Sequence, residues 1–455
     1  MLLEFEFSNF LSFKEKQKLD LKAQKSRVKN QRVYKYGKNK YLKFASIFGS
    51  NGSGKSNLVY ALDFMKERLL NEESKTKYNY FKLDERFRNK ESLFNVEILV
   101  DEEIYEYGYE IYLATNQIKS EWLYIINKKG DKKAIFNRSL DKNEIKFSEK
   151  YFKNEKIIER LNVYGEDIKD DDKILFLSIM NQNKTHLYKN NEKSEIILFK
   201  KIFDWFQTKL IINFPEYSFN SLSYFMEADS SQELIELLRW FDFGIDSYKF
   251  IDVSKDEIIE NIPKQFLNKI EREFEIRNKT KQNFSKLGLL RGRKSHKNSY
   301  YIIGYNEGEV IYKTIKFIHQ GNNALFGVSE ESDGTLKMLD LFDILLDKDN
   351  DRVYVVDELD LFLHPSISYK FISKFLELAQ NKNIQLIVTS HETKLLDFNL
   401  LRRDEVWFTI KQSDGESNLV NLSKFAPRSD KKLEKAYFDG DFDIIPEQNL
   451  HHSNH

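Results

Sequence analysis

The sequence predicts an α/β protein with a mixed sheet whose core is parallel, an antiparallel β subdomain and a helical insertion. Three observations predict it. Short apolar runs, among them Phe44-Ala45-Ser46-Ile47-Phe48 and Val353-Tyr354-Val355-Val356, read as strands buried on both faces. The first run enters a glycine-rich loop and then a helix. Alternating apolar and polar residues between Phe94 and Ile126, broken by tight polar turns, read as antiparallel strands.

Composition narrows the function classes. With 41% hydrophobic and 32% charged residues in 455, the chain has the make-up of a globular protein. Lys+Arg and Asp+Glu both total 72, which argues against a globally basic coat for nucleic acid and leaves room for a local patch. There is no cysteine, so disulfides, Cys-zinc sites, iron–sulfur clusters and thiol nucleophiles are excluded. Mean hydropathy is −0.59, and no stretch is apolar for the ~18 residues that a membrane helix needs. The opening Met1-Leu2-Leu3-Glu4-Phe5-Glu6 carries acids where a signal peptide is basic, so the expectation is a soluble, cytoplasmic protein without a membrane partner.

In chain order, Leu3-Glu4-Phe5-Glu6-Phe7 alternates as a half-buried strand does. After the glycine-rich loop, Leu58, Leu62, Phe64 and Met65 form a helical stripe. Strands follow at Phe94 to Ile98, Ile104 to Leu113 and Trp122 to Ile126. Residues 1–136 therefore read as an N-terminal lobe. The stretch 137–275 reads as a mainly helical insertion, with Ile196, Phe199, Phe203, Phe206 and Leu210 at helical spacing and a capping box at Ser230-Ser231-Gln232-Glu233. Residues 276–446 read as a C-terminal lobe and 447–455 as a loose tail, whose His451, His452 and His455 lack supporting acids.

Three segments carry chemistry. Gly49-Ser50-Asn51-Gly52-Ser53-Gly54-Lys55-Ser56, followed by Asn57, matches the phosphate-loop pattern G-x-x-x-x-G-K-[ST] between a strand and a helix. Its glycines let backbone N–H groups face phosphate oxygens, with Lys55 for the β and γ phosphates and Ser56 for Mg²⁺. The strand ending in Asp357-Glu358 supplies a carboxylate for Mg²⁺ (Asp357) and a general base for water (Glu358). The run Ile384-Gln385-Leu386-Ile387-Val388-Thr389-Ser390-His391 puts a His at another strand end, 34 residues after Asp357, where it can sense a γ-phosphate. A fourth segment, Glu331-Ser332-Asp333-Gly334-Thr335, starts a helix; taken alone it reads first as a plain N-cap, and otherwise as an anion site.

Together these resemble the ATP-binding-cassette ATPase heads of the SMC/RecF type, which share the order phosphate loop, insertion, signature, Walker B acids, D-loop and switch histidine. The resemblance implies a P-loop NTPase of that head type. ATP and Mg²⁺ would lie in a head-to-tail dimer, between the phosphate loop of one chain and Ser332, Asp333 and Gly334 of the other. Asp360 takes the D-loop place and His391 the switch. Asp333 stands where the transporter signature has glycine, and the Q-loop role is unassigned. Further segments, Phe7-Ser8-Asn9-Phe10-Leu11-Ser12-Phe13, Asp357-Glu358-Leu359-Asp360-Leu361-Phe362-Leu363-His364-Pro365, Leu401-Arg402-Arg403-Asp404-Glu405-Val406-Trp407-Phe408 and Tyr437-Phe438-Asp439-Gly440-Asp441-Phe442, narrow the likeness. They are similar to the AAA-type ATP-binding proteins of bacterial phage defence, the RloA/AbiLi/AriA group. That resemblance implies an ATPase working as a switch for a separately encoded effector, often a Toprim-like nuclease.

Residues 276–306 hold eight bases and no acid. Arg291, Arg293 and Lys294 lie beside Gly292 and read as part of a flexible arm for nucleic acid or an acidic partner, or as a solvated loop. A DNA-repair ATPase and an ATP-binding scaffold with little turnover remain alternative readings.

Overall fold

The computed structural model describes all residues except 27–28, 71–78, 190–193, 216–222, 227–229, 281–287, 295–296, 307–308, 322–323 and 425–455. The tail 447–455 and the segment 437–442 therefore lie outside the described residues. The chain divides into two compact units. The first holds residues 1–214, 349–360 and 376 onward, and the second holds 215–348 and 361–375.

A six-stranded sheet lies at the centre of the first unit, in the order Leu210–Asn213, Val353–Val356, Gln385–Ser390, Phe44–Phe48, Val406–Lys411, Ser417–Asn421. The first five strands are mutually parallel and the sixth is antiparallel to the fifth. Every residue of Phe44–Phe48, Val353–Val356 and Gln385–Ser390 is buried, as expected of strands covered on both faces. Parallel strands present their C-terminal ends on one side of the sheet. The phosphate loop, the acidic pair and His391 therefore share that side.

The first unit also holds a seven-stranded antiparallel sheet, with Lys132–Ser139, Gln117–Ile126, Glu103–Tyr112, Ser92–Val100 and Leu2–Phe7 as its inner strands. One core cluster includes residues of both sheets and of helix Lys55–Leu70. Phe64 of that helix meets Phe94 at 4.9 Å and Phe10 at 5.6 Å between ring centres. Burial of six such apolar side chains, Leu58, Val59, Leu62, Phe64, Met65 and Leu69, at ~2 kcal/mol each anchors the helix far more strongly than its intrinsic propensity.

The compositional boundaries at 136/137 and 275/276 do not coincide with the two units. Helices Glu155–Ile168, Phe176–Asn181 and Ile197–Asp204 pack into the first unit's core. The buried Glu121 carboxylate accepts the N–H groups of Phe176 and Leu177 at 2.6 and 3.1 Å, fixing a helix start to the antiparallel sheet. Leu210, counted on a helical stripe in the sequence, instead opens the strand Leu210–Asn213 at the edge of the central sheet. Pairing with Val353–Val356 outweighs the local 3.6-residue period there, because Leu-Ile-Ile suits a strand equally well.

The second unit is built on a five-stranded antiparallel sheet that includes Ile245–Asp252, Glu309–His319, Lys297–Asn306 and Gly288–Lys294. Tyr301, Ile303 and Tyr312 pack against Ile258, Ile262 and Leu267. Arg291, Arg293 and Lys294 belong to the strand Gly288–Lys294, paired with Lys297–Asn306, and not to a free arm.

Candidate functional site

The loop from Gly49 to Gly54 joins the central strand to helix Lys55–Leu70. A side chain at Gly49 would collide with the hydroxyls of Ser53 and Thr409 and come within 2.7 Å of the Thr409 carbonyl, so only glycine fits. Ser53 is held by its hydroxyl at 2.6 Å from that of Thr409. Ser50, Asn51 and Gly52 form the exposed crest. Buried Lys55 folds back over the loop, and its Nζ donates to the carbonyls of Gly49 at 2.8 Å and Ser50 at 3.1 Å. Burial lowers its pKa, while the negative charges of Glu358, Asp357 and Asp360 oppose that shift.

Asp357 is 1% exposed. Burial raises its pKa, against the hydrogen bonds from the Thr389 and Ser56 hydroxyls and the charge of Lys55. Thus the predicted Mg²⁺ pair, Ser56 and Asp357, is already in contact. Thr389 Oγ1 donates to Asp357 Oδ1 at 2.5 Å and accepts the Glu358 N–H at 2.8 Å. Its carbonyl accepts the Leu359 N–H at 3.0 Å, and the Asp357 N–H donates to the Asn213 carbonyl at 2.9 Å. Glu358 is left-handed, at φ 50°, a costly backbone state for a residue with a Cβ. These bonds from the neighbouring strands hold that turn.

His391 is 54% exposed, and its Nδ1 lies 3.0 Å from Oδ2 of the buried Asp360. The second Asp360 oxygen is buried, with no hydrogen-bond partner among the described residues. Asp360 thus meets the switch position within its own chain. The Asn57 amide turns to Ser12, donating to its hydroxyl at 2.7 Å, rather than extending the loop crest. Ser332 belongs to the second unit, where it caps helix Asp333–Leu345 by accepting the Thr335 N–H at 3.1 Å. Asp333 is exposed, and a Cβ on Gly334 would come within 3.0 Å of the Phe362 carbonyl.

Reading the sequence gave Thr389, Ser12, Thr409 and Ser417 no role. The signal for Thr389 was a hydroxyl inside an apolar strand, which must find a partner when buried. Ser12 lies in the segment Phe7–Phe13 that the family likeness singled out, but nothing local gave its role; Thr409 and Ser417 carried no local signal, because their partners lie far along the chain.

The arrangement gathers a glycine-rich loop, a lysine, hydroxyls and two carboxyl groups at the ends of three neighbouring parallel strands. Residues 44–397 match the family model described as "AAA domain, putative AbiEii toxin, Type IV TA system". The chain belongs to this family. The matched span of this AAA-family chain runs from the phosphate-loop strand past His391 and leaves out Ser12, Thr409 and Ser417. Among curated proteins none matches the chain. Among solved structures it is similar to a SmcHead bound to the C-winged helix domain of ScpA, at 14% identity over 93% of this chain and 98% of that one, TM-score 0.42. It is also similar to the SMC head domain from Thermotoga maritima, at 12% identity over 92% and 98%, TM-score 0.36. A third is the Smc head domain with an extended coiled coil bound to the C-terminal domain of ScpA derived from Pyrococcus furiosus, at 15% identity over 95% and 98%, TM-score 0.41. Among the described residues no helix is long and apolar enough to cross a membrane.

Proposed function

We propose that this AAA-family chain binds ATP with Mg²⁺ and hydrolyses it. We read the hydrolysis as driving a molecular switch that controls an effector protein in an abortive-infection type of anti-phage system. The observation that carries the reading is the convergence of Ser56, Asp357 and Thr389 beside Lys55, at the C-terminal ends of adjacent parallel strands. Lys55 would exchange the carbonyls of Gly49 and Ser50 for phosphate oxygens, gaining charge-assisted bonds. Glu358, with its N–H fixed by Thr389, would orient the attacking water as general base. The Asp360 contact at Nδ1 leaves Nε2 of His391 to meet the γ-phosphate.

The residues fit Mg²⁺. Such sites take one or two protein oxygens and complete the shell with phosphates and water, and Ser56 with Asp357 supplies that pair. When bound, the ion would neutralise charge on the phosphates.

The family description, with its toxin and toxin–antitoxin terms, supports the defence setting and a partner effector, for which we favour a Toprim-like nuclease. Ser332, Asp333 and Gly334, at an exposed helix start, would complete the ATP site of a second copy, head to tail. The test is Mg-dependent ATP turnover of the purified chain together with the mass of Glu358→Gln with and without Mg-ATP. Turnover and nucleotide-dependent assembly support the reading. A chain that neither binds nor hydrolyses nucleotide refutes it. A second reading, action on DNA, is favoured by Arg291, Arg293 and Lys294 lying close together on one strand within a stretch free of acids.

A further inference from the structure

We propose that the loop Asn9 to Phe13 and Ser417 form a hydroxyl bracket that holds the junction between the phosphate loop and its helix, with Ser12 as the central positioning residue. The inference rests on the nucleotide-binding reading of that loop.

The junction needs holding. Gly54 sits at φ +112°, and its carbonyl accepts the first helical hydrogen bond, from the Leu58 N–H at 3.2 Å. Its conformation therefore sets where the first N–H groups of the helix point, and those are the groups that face an anion. A Cβ at Gly54 would lie 2.7 Å from the Ser417 hydroxyl and 3.0 Å from that of Ser12, so both hydroxyls press against the glycine. The Ser12 hydroxyl accepts from the Asn57 amide at 2.7 Å, inside the first turn of the helix, and from the Ser417 hydroxyl at 2.9 Å. Ser417 also donates its N–H to the Ser12 carbonyl at 2.8 Å. Two residues 405 positions apart are thus tied to each other, pressed against Gly54 and, through Asn57, bonded to the helix that follows it.

The loop that presents Ser12 is built for rigidity. Asn9 and Leu11 both stand at φ 51°, a left-handed state that costs a residue with a Cβ about 1–2 kcal/mol. Strain of this kind persists where the surroundings over-determine it. Here the Asn9 amide donates to the carbonyls of Phe87 at 2.9 Å and Lys90 at 3.0 Å, and its Oδ1 accepts the Phe81 N–H at 3.0 Å. Ser92 Oγ donates to the Asn9 carbonyl at 2.6 Å, and the Leu11 N–H donates to Asn79 at 2.8 Å. Phe10 and Phe13 exchange backbone bonds at 2.9 Å across the turn that carries Ser12. The antiparallel sheet thereby fixes one hydroxyl against the phosphate loop.

The test uses Ser12→Ala and Ser417→Ala in the full chain, with hydrogen–deuterium exchange of the nucleotide-free protein and ATP binding measured side by side. Ser12→Ala removes two bracket bonds and Ser417→Ala one, and either loss is expected to speed exchange of the amides between Gly52 and Asn57 at least about tenfold, with no change in the strands of the antiparallel sheet. The Kd for Mg-ATP is expected to rise about fivefold while kcat at saturating ATP stays within about twofold, the mark of lost preorganisation rather than lost chemistry. Unchanged exchange at the junction in both variants overturns the bracket, whatever the nucleotide does. Faster exchange in a protein whose wild type binds no ATP leaves the bracket standing and refutes the nucleotide reading instead. Should Ser12→Ala fail to fold, Ser417→Ala, at the far end of the same contact, decides alone.

Discussion

Thr389→Val tests the proposed chemistry at its most connected point. The substitution keeps the branched shape and removes one hydroxyl that is wholly buried. That hydroxyl makes two bonds: a charge-assisted one to Asp357 and one from the Glu358 N–H. A bond to a charged group contributes roughly 1.5–3 kcal/mol, and a buried N–H left unpaired costs about 1–3 kcal/mol. If about 2.7 kcal/mol of this is felt in the transition state, kcat falls about a hundredfold. Lys55 and the loop crest are untouched, so the KM for ATP should stay within about threefold. The Thr389 bond holds the Asp357 carboxyl down against the upward push of burial. Its loss lets that pKa climb, and the acid limb of the rate profile moves to higher pH. The assay is steady-state phosphate release across Mg²⁺ concentration and pH, with a melting curve to show that the variant is folded. Thr389→Ser, which keeps the hydroxyl, should recover most of the rate. A folded Thr389→Val with wild-type kcat and an unmoved acid limb would refute the bridging role.

Lys55→Ala should weaken Mg-ATP binding at least about a hundredfold by calorimetry, since a charge-assisted contact to phosphate is removed; equal affinity would remove the phosphate-loop assignment. Glu358→Gln should bind ATP normally and turn over about a thousandfold more slowly, and light scattering should show its mass doubling with Mg-ATP. A mass unchanged from a monomer would end the role given to Ser332, Asp333 and Gly334. Because burial raises the Asp357 pKa, the carboxylate form is lost at a higher pH than in an ordinary aspartate. Turnover should therefore decline on the acid side before exposed carboxylates titrate. Stability moves the other way: the folded chain holds this proton more tightly, so the contribution of Asp357 is greatest below its unfolded value and is lost as pH rises through the folded one. Neutralising Arg291 and Arg293 together should reduce any binding of a DNA oligonucleotide in filter assays and flatten its salt dependence by about two units of slope; a DNA response that survives intact would place that contact elsewhere.

The fold class was legible because its signals are local. The Phe44–Phe48 strand, the glycines and the stripe on the following helix are contiguous, and each segment settles its own conformation. Asp357-Glu358 was legible for the same reason, as an acidic end to an apolar run. The partners of those residues were hidden. Thr389 reaches Asp357 only because the strands Gln385–Ser390 and Val353–Val356 are neighbours in register, with Val356 opposite Val388. The edge strand Leu210–Asn213 was hidden too, since Leu-Ile-Ile fits a helical stripe until the sheet beside it offers hydrogen bonds.

By itself the sequence determined which groups are present: a loop rich in glycine, a lysine and serine after it, and two acids at a strand end. Only the tertiary structure decided what holds those groups in place. Hydrogen bonds act over about 3 Å, whereas Ser12 and Ser417 are 405 residues apart in the chain. Distance along the chain says nothing about such pairs until sheet order and register bring them together.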